Sequence, residues 1–288
     1  MCQLLGVNAF KPVTVPFALQ GFLQRGGSTG DHRDGWGMGY WTGQRAHTVH
    51  ETAPAAHSER AERLCGQGPR SHNFVVHVRK ATQGAITRTN CHPFRRWLWG
   101  RTWLFAHNGD LGSALPSASG IYSPLGTTDS ERAFCLLLDG LVRDLTDGDP
   151  HAMAPTPDRI EVALAAQATR LAQHGVFNFL LSDGDCLYAH GSTHLHWVSR
   201  CHPFPCVELI DYPKQVDLAH YNHADDRLVV IATQPLTRGE AWQAFVPGEL
   251  RVFRHGRDIT TQHSAQAVLP AVTFRTTGAP ADALRLSA

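Results

Sequence analysis

Cys2 can do chemistry that an internal cysteine cannot. Initiator methionine is removed when the second residue is small, and loss of Met1 would leave Cys2 with a free α-amine beside its own thiol. A nucleophile whose general base is its own terminal amine is an established arrangement. An α-amine titrates near pH ~8 and a thiol near ~8.5, so a proton passes between them at little cost. A cysteine at position 2 carries little weight alone; other residue pairs downstream give it context. Arg79 closes an apolar run, where a guanidinium either reaches solvent or meets an anion; its planar fork suits a carboxylate. His107-Asn108-Gly109 ends another run. Asn-Gly is first a turn signal, and second a pair of N–H donors that can converge on an oxyanion. Asp129 falls in the first turn of a helix, where a carboxylate either offsets the helix dipole or faces a substrate amine. Gly35, Gly37 and Gly39 alternate with large residues, so that something can approach the strand backbone closely: a substrate or a neighbouring segment.

These residues need a scaffold, and the pattern of apolar residues supplies one. Residues 2–7 read as a buried strand, and residues 15–25 as a short helix ending in the loop Gly26-Gly27-Ser28-Thr29-Gly30. Strands are expected within 32–41 and at 46–51, 73–80 and 97–106, with a short helix at 58–65 between the second and third. Thr128 with Glu131 matches a capping box for a helix reaching about residue 145. Thr156-Pro157 opens a second long helix, through 174. Residues 177–182 and 186–189 form a hairpin across Asp183-Gly184-Asp185, and strands follow at 195–199, 227–233 and 249–254, with a turn at His255-Gly256. Strands, then two helices, then strands again indicate one α+β domain with two stacked sheets. It is expected to occupy residues 2–260, leaving 261–288 as a partly mobile C-terminal tail.

Composition narrows the function classes. The net charge of +1 leaves no basic stripe for nucleic acid. No run approaches the ~18 apolar residues of a membrane span, and the N-terminus has no signal-peptide pattern. Seven scattered cysteines, an odd number, fit reduced thiols in the cytoplasm. Cys91-His92 and the Cys201/Cys206 region lack the second ligand pair that zinc requires at defined spacing, so no metal is expected.

Taken in order, Cys2, Asp34-Gly35-Trp36-Gly37, His77-Val78-Arg79-Lys80-Ala81-Thr82, His107-Asn108-Gly109 and Thr128-Asp129-Ser130-Glu131 resemble the class II glutamine amidotransferases, which are N-terminal-nucleophile hydrolases. The segments 177–184 and 231–237 resemble the stand-alone YafJ-type subgroup. The resemblance implies a four-layer α-β-β-α sandwich and a set of roles. Cys2 attacks the side-chain amide of glutamine, and Asn108 with the Gly109 N–H holds the oxyanion. Arg79 takes the substrate carboxylate and Asp129 its ammonium. Trp36, Gly37, Thr82 and His107 complete the binding pocket. No cofactor is implied. Asp110 after the Asn-Gly, and Gln234 where some relatives are acidic, depart from the pattern. The expected small-molecule partner is glutamine or another γ-glutamyl compound, such as a γ-glutamyl peptide or thiol conjugate. Ammonia released from glutamine would need an acceptor enzyme docked at the site. A binding module with an idle site would have lost one of Cys2, Arg79, Asn108 or Asp129, and all four are present.

Overall fold

The computed structural model describes residues 2–261. In chain order its elements are β1 (Gln3–Val13), α1 (Pro16–Gln24), β2 (Trp36–Thr42), β3 (Arg45–Glu51), α2 (Glu59–Gly66), β4 (Ser71–Val78), β5 (Phe94–Leu98) and β6 (Arg101–Asp110). The helices α3 (Asp129–Thr146) and α4 (Pro157–Ala172) follow, then β7 (Val176–Ser182), β8 (Cys186–Gly191) and β9 (His196–Cys201). The last part holds β10 (Cys206–Leu209), β11 (Gln215–Asp217), β12 (Arg227–Ala232), β13 (Thr237–Arg238), β14 (Gln243–Ala244), β15 (Glu249–Arg254) and β16 (Arg257–Asp258). One sheet runs β14-β9-β12-β1-β4-β2-β3 and the other β16-β15-β8-β7-β6-β5, beside a small sheet β11-β10-β13. No described helix is long and apolar enough to cross a membrane.

Period-two alternation sorts the side chains into layers. From β1, Leu5, Val7 and Ala9 join Leu19 and Phe22 of α1 under the first sheet. Leu4 points the other way and meets Val75, Ala106, Leu180 and Leu187 between the sheets. The far face of the second sheet, with Trp103, Phe105, Phe177 and Phe179, packs on Phe134, Leu137 and Leu141 of α3 and Leu164 of α4. The result is the four-layer α-β-β-α sandwich. Phe105 and Phe134 stack with centroids 4.9 Å apart; truncating either fully buried ring would cost about 3–5 kcal/mol.

Thr128 caps α3 as expected, its Oγ1 accepting the Glu131 N–H at 3.2 Å. The reciprocal half of the box is rewired: Glu131 accepts the Gly126 N–H at 2.6 Å and pairs with Arg96 at 2.7 Å. Two expectations need correction, and one open alternative is decided. Residues 97–106 do not form one strand, because Trp99 and Gly100, at φ 52° and 74°, make a two-residue hairpin turn joining β5 to β6. Asn108-Gly109 is not a turn: the strand continues, with Asn108 opposite Asn178 and Gly109 opposite Phe177. The alternating glycines of β2 admit the protein's own chain, since a Cβ on Gly37 would lie 2.1 Å from the His92 carbonyl and one on Gly39 2.4 Å from Leu104. Of the expected tail, Thr261 donates its N–H to Glu161 at 2.9 Å, and 262–288 lie outside the described residues.

Candidate active site

Gln3 pairs with Val78, so Cys2 continues β1 alongside the end of β4. Its Sγ lies 3.4 Å from both the N and the O of Lys80. The Lys80 N–H donates to sulfur, a contact that strengthens as the thiol ionises. Burial pushes the Cys2 thiol up from its ordinary value; the Lys80 N–H and the Arg79 charge pull it down, and the Asp129 carboxylate pushes it up. Both charges that sequence motifs put forward are therefore close enough to act on the thiol.

Alternation along β4 turns Arg79 to the same inter-sheet face as Val75, and the side chain is buried. It does not end in solvent. Its guanidinium donates to three successive carbonyls, Gln83 at 3.0 Å, Gly84 at 3.2 Å and Ala85 at 3.2 Å. The cation thus shapes the loop after β4 as well as charging the site. Further ties hold that loop. Asp34 accepts the Ala81 N–H at 2.7 Å, and Gln83 donates to Asp110 at 2.7 Å. Asn90 donates to the Ala85 carbonyl at 3.0 Å and accepts the Thr127 N–H at 2.9 Å, joining the loop to the start of α3. Thr82 sits exposed on this loop.

Asp129 opens α3 nearly buried. It serves the helix terminus through the Ser130 N–H at 2.8 Å, and it fastens Leu111 through that residue's N–H at 2.9 Å. Asn108 comes from the facing sheet, on the Ala106 side of β6, so its amide lies between the sheets with Leu4. Its Nδ2 lies 3.2 Å from Thr233 Oγ1, while Oδ1 is buried and has no hydrogen-bond partner among the described residues. Asn178 donates to the Asn108 carbonyl at 3.0 Å and accepts the N–H groups of Ser192 and Thr193, fixing the strand there. Gly109 has to be glycine, since a Cβ would stand 1.8 Å from the Val176 carbonyl.

Three of the expected pocket residues lie elsewhere. His107 points away from Asn108, toward the helical layer, with Nδ1 2.8 Å from Ser130 Oγ and Nε2 3.0 Å from the Val176 carbonyl. Burial lowers its basicity, and its role is to seat the start of α3 on the sheet. Trp36 is buried in the layer under the first sheet, its indole N–H donated to Glu51 at 3.1 Å. Gly37 is filled against His92. The structure thus brings Arg79 and Asp129 to the Cys2 thiol, links Asn108 through Thr233 to Leu4 on the same strand, and leaves Thr82 exposed on the loop after β4. Asn90 escaped sequence reasoning altogether, and Thr233 and Gln83 entered it only as members of longer stretches with no role of their own, because the contacts of the three lie 37, 125 and 27 residues away along the chain.

The family model described as glutamine amidotransferases class-II matches residues 1–275. The YafJ protein of Escherichia coli strain K12 is 40% identical over 262 residues, covering 90% of this chain and 100% of that protein. The protein MJ1515 of Methanocaldococcus jannaschii is 32% identical over 263 residues, covering 90% of this chain and 71% of its own. Among crystal structures, a predicted glutamine amidotransferase from Pseudomonas aeruginosa PA01 superposes with a TM-score of 0.67 at 30% identity, over 90% of this chain and 100% of that one. The glutamine phosphoribosylpyrophosphate amidotransferase of B. subtilis shares the fold at 14% identity and a TM-score of 0.55, over 88% of this chain and 47% of its own. With the family model spanning residues 1–275 and a 40% identical relative covered along its whole length, the chain belongs to the class II glutamine amidotransferases.

Proposed function

We propose that this protein hydrolyses the side-chain amide of glutamine through a thioester on Cys2. The observation that carries the reading is the setting of the Cys2 thiol. Sulfur accepts the Lys80 N–H at 3.4 Å, and it feels a buried cation from Arg79 and a buried anion from Asp129. Those two charges match the carboxylate and ammonium of a free α-amino acid, which selects glutamine over an amide within a protein. Removal of Met1 frees the α-amine of Cys2, which takes the thiol proton as sulfur attacks the amide carbon. The developing oxyanion is met by Asn108 Nδ2 and the Gly109 N–H, each donor contributing roughly 3 kcal/mol in comparable acyl-transfer sites. The carbon–nitrogen bond breaks, the amine returns the proton to the leaving ammonia, and a γ-glutamyl thioester remains. Water then attacks the thioester, releasing glutamate and the thiol. Overall, glutamine and water become glutamate and ammonia. An acceptor enzyme docked at the rim would use that ammonia before bulk water protonates it.

The test is intact mass before and after treatment with 6-diazo-5-oxo-L-norleucine, a glutamine analogue that alkylates a nucleophile in its pocket. The expected result is a chain lacking Met1 and carrying one adduct mapped to Cys2, with none in Cys2→Ala. Retained Met1 and an unmodified thiol in the wild type would overturn the proposal.

A further inference from the structure

We infer that Thr233 is a positioning residue that sets the orientation of the Asn108 amide, turning Nδ2 toward the developing oxyanion. The inference rests on the oxyanion role proposed for Asn108 and adds the group that aims it. Thr233 lies just past β12, buried, and is held from several sides. Its N–H donates to the Leu4 carbonyl at 3.1 Å, its carbonyl lies 3.0 Å from His196 Nδ1, and its Oγ1 accepts the Leu4 N–H at 2.9 Å. The hydroxyl is therefore fastened to Leu4, which lies two residues along the chain from Cys2, and meets Asn108 from the opposite sheet.

The accounting of donors and acceptors then decides the amide orientation. With Nδ2 toward Thr233, as in the structure, Oγ1 receives two N–H groups, from Leu4 and from Asn108. Its own hydrogen then meets no acceptor among the described residues, and Asn108 Oδ1 is left buried without a donor. A carboxamide rotated by half a turn about its last torsion occupies the same space. In that orientation the Thr233 hydroxyl keeps the Leu4 N–H and donates its hydrogen to Oδ1. The hydroxyl hydrogen and Oδ1 then satisfy each other, the Nδ2–Oγ1 bond is given up, and the one amide group left over is a donor, which an oxyanion can meet, instead of an acceptor, which it would repel. Nδ2, with its two hydrogens, then faces the direction Oδ1 had faced, free to meet an oxyanion. Thr233 also grips Leu4 on the nucleophile's own strand, so one hydroxyl ties the donor to the backbone that carries the sulfur.

The experiment compares Thr233→Val with Thr233→Ser in the processed wild-type background. Val removes the hydroxyl at constant shape; Ser keeps it. Thr233→Val is expected to lower kcat for glutamine by about 30-fold, below the roughly 10²–10³-fold loss when such a donor is deleted, with KM within about threefold of wild type. Affinity for the aldehyde analogue of glutamine, whose adduct with a thiol carries an oxyanion, should fall in parallel, while affinity for glutamate stays level. Thr233→Ser should retain at least about a third of wild-type kcat. In an Asn108→Ala background Thr233→Val should cost less than about twofold more, since the group it aims is gone. Equal damage by Val and Ser, full additivity with Asn108→Ala, or a loss confined to KM would each overturn the inference. The orientation is also read without turnover, or without Val folding, from a neutron map of the wild-type protein. Deuterons on the Asn108 atom facing Thr233 refute the inference whatever the activity. The expected orientation in a protein that neither hydrolyses glutamine nor takes the diazo analogue would instead fault the proposed function.

Discussion

Replacing Arg79 by lysine keeps the positive charge and removes the fork, which makes it a sharp test of what the guanidinium does. Arg79 donates to the carbonyls of Gln83, Gly84 and Ala85 at 3.0–3.2 Å from a nearly buried position. Hydrogen bonds from a charged donor contribute about 1.5–3 kcal/mol each. An ammonium can reach one of the three carbonyls and leaves two unmet, so the ordered loop loses about 3 kcal/mol at the low end. That is roughly a 100-fold shift in its population. Because the loop carries Thr82 and lies against the start of α3, the loss should appear mainly in substrate binding. We expect Arg79→Lys to raise KM for glutamine by one to two orders of magnitude, with kcat within about fivefold. Glutamate formation in a dehydrogenase-coupled assay gives both constants. Arg88, exposed on the same loop, should become a faster tryptic site. A KM within threefold of wild type, with cleavage at Arg88 unchanged, would refute the reasoning, because neither the loop nor the substrate would then depend on the fork.

Other outcomes follow from the electrostatics and the core. The Asp129 carboxylate helps hold the Cys2 thiol above its ordinary value, so Asp129→Asn should move the pH profile of iodoacetamide labelling at Cys2 toward lower pH; an unmoved or alkaline-shifted profile would contradict the placement. Burial lowers His77 to about 3 and His190 to about 4, below an unfolded value near ~6.5. The unfolded chain then binds more protons between those values, so stability is full above pH ~6.5 and declines as pH falls. Each of these two histidines should cost about 2 kcal/mol at pH 5 relative to pH 7.5. Urea melts at the two pH values measure the sum, and coincident curves would show that these imidazoles are not held neutral. Trp36→Phe removes the bond to Glu51 and should lower stability by about 1 kcal/mol with kinetics unchanged; a tenfold rise in KM would return Trp36 to the pocket.

How far the sequence could be read depends on the range of the interaction. Helix α3 was legible to within a residue or so, because Thr128, Asp129 and the Leu137/Leu141 face are local signals that the structure uses directly. Strand β4 was legible from its apolar run, yet the fate of Arg79 was not, since the carbonyls it meets belong to a loop whose path is set by Asn90 and Asp34. The turn reading of Asn108-Gly109, the first of the two that the dipeptide offers, fails for a related reason. The dipeptide favours a turn when nothing else competes, but here β7 supplies the Val176 carbonyl within 1.8 Å of where a Cβ would stand, and strand pairing within the sheet outweighs the local preference. The β5–β6 turn could have been found, because an aromatic followed by Gly100 interrupts the apolar run. The small sheet of β10, β11 and β13 could not, as strands of two to four residues are below what periodicity detects. Trp36 and His107 share motifs with pocket residues but face the other way, which follows from strand alternation once the inward register is known.

The place of β1 in its sheet has a consequence for biosynthesis. The strand carrying Cys2 is not an edge but lies between β4 and β12. During translation Cys2 is made more than 220 residues before β12, which spans Arg227–Ala232. At 5–20 residues per second, roughly 10–45 s separate the two events. Throughout that interval β1 can have only β4 beside it, and Thr233 has yet to be made. The terminal methionine is thus open to an aminopeptidase at the ribosome well before a competent site can close. In the proposed mechanism the thiol is therefore made early and armed late, so incomplete chains would carry Cys2 without the pocket that gives it a substrate.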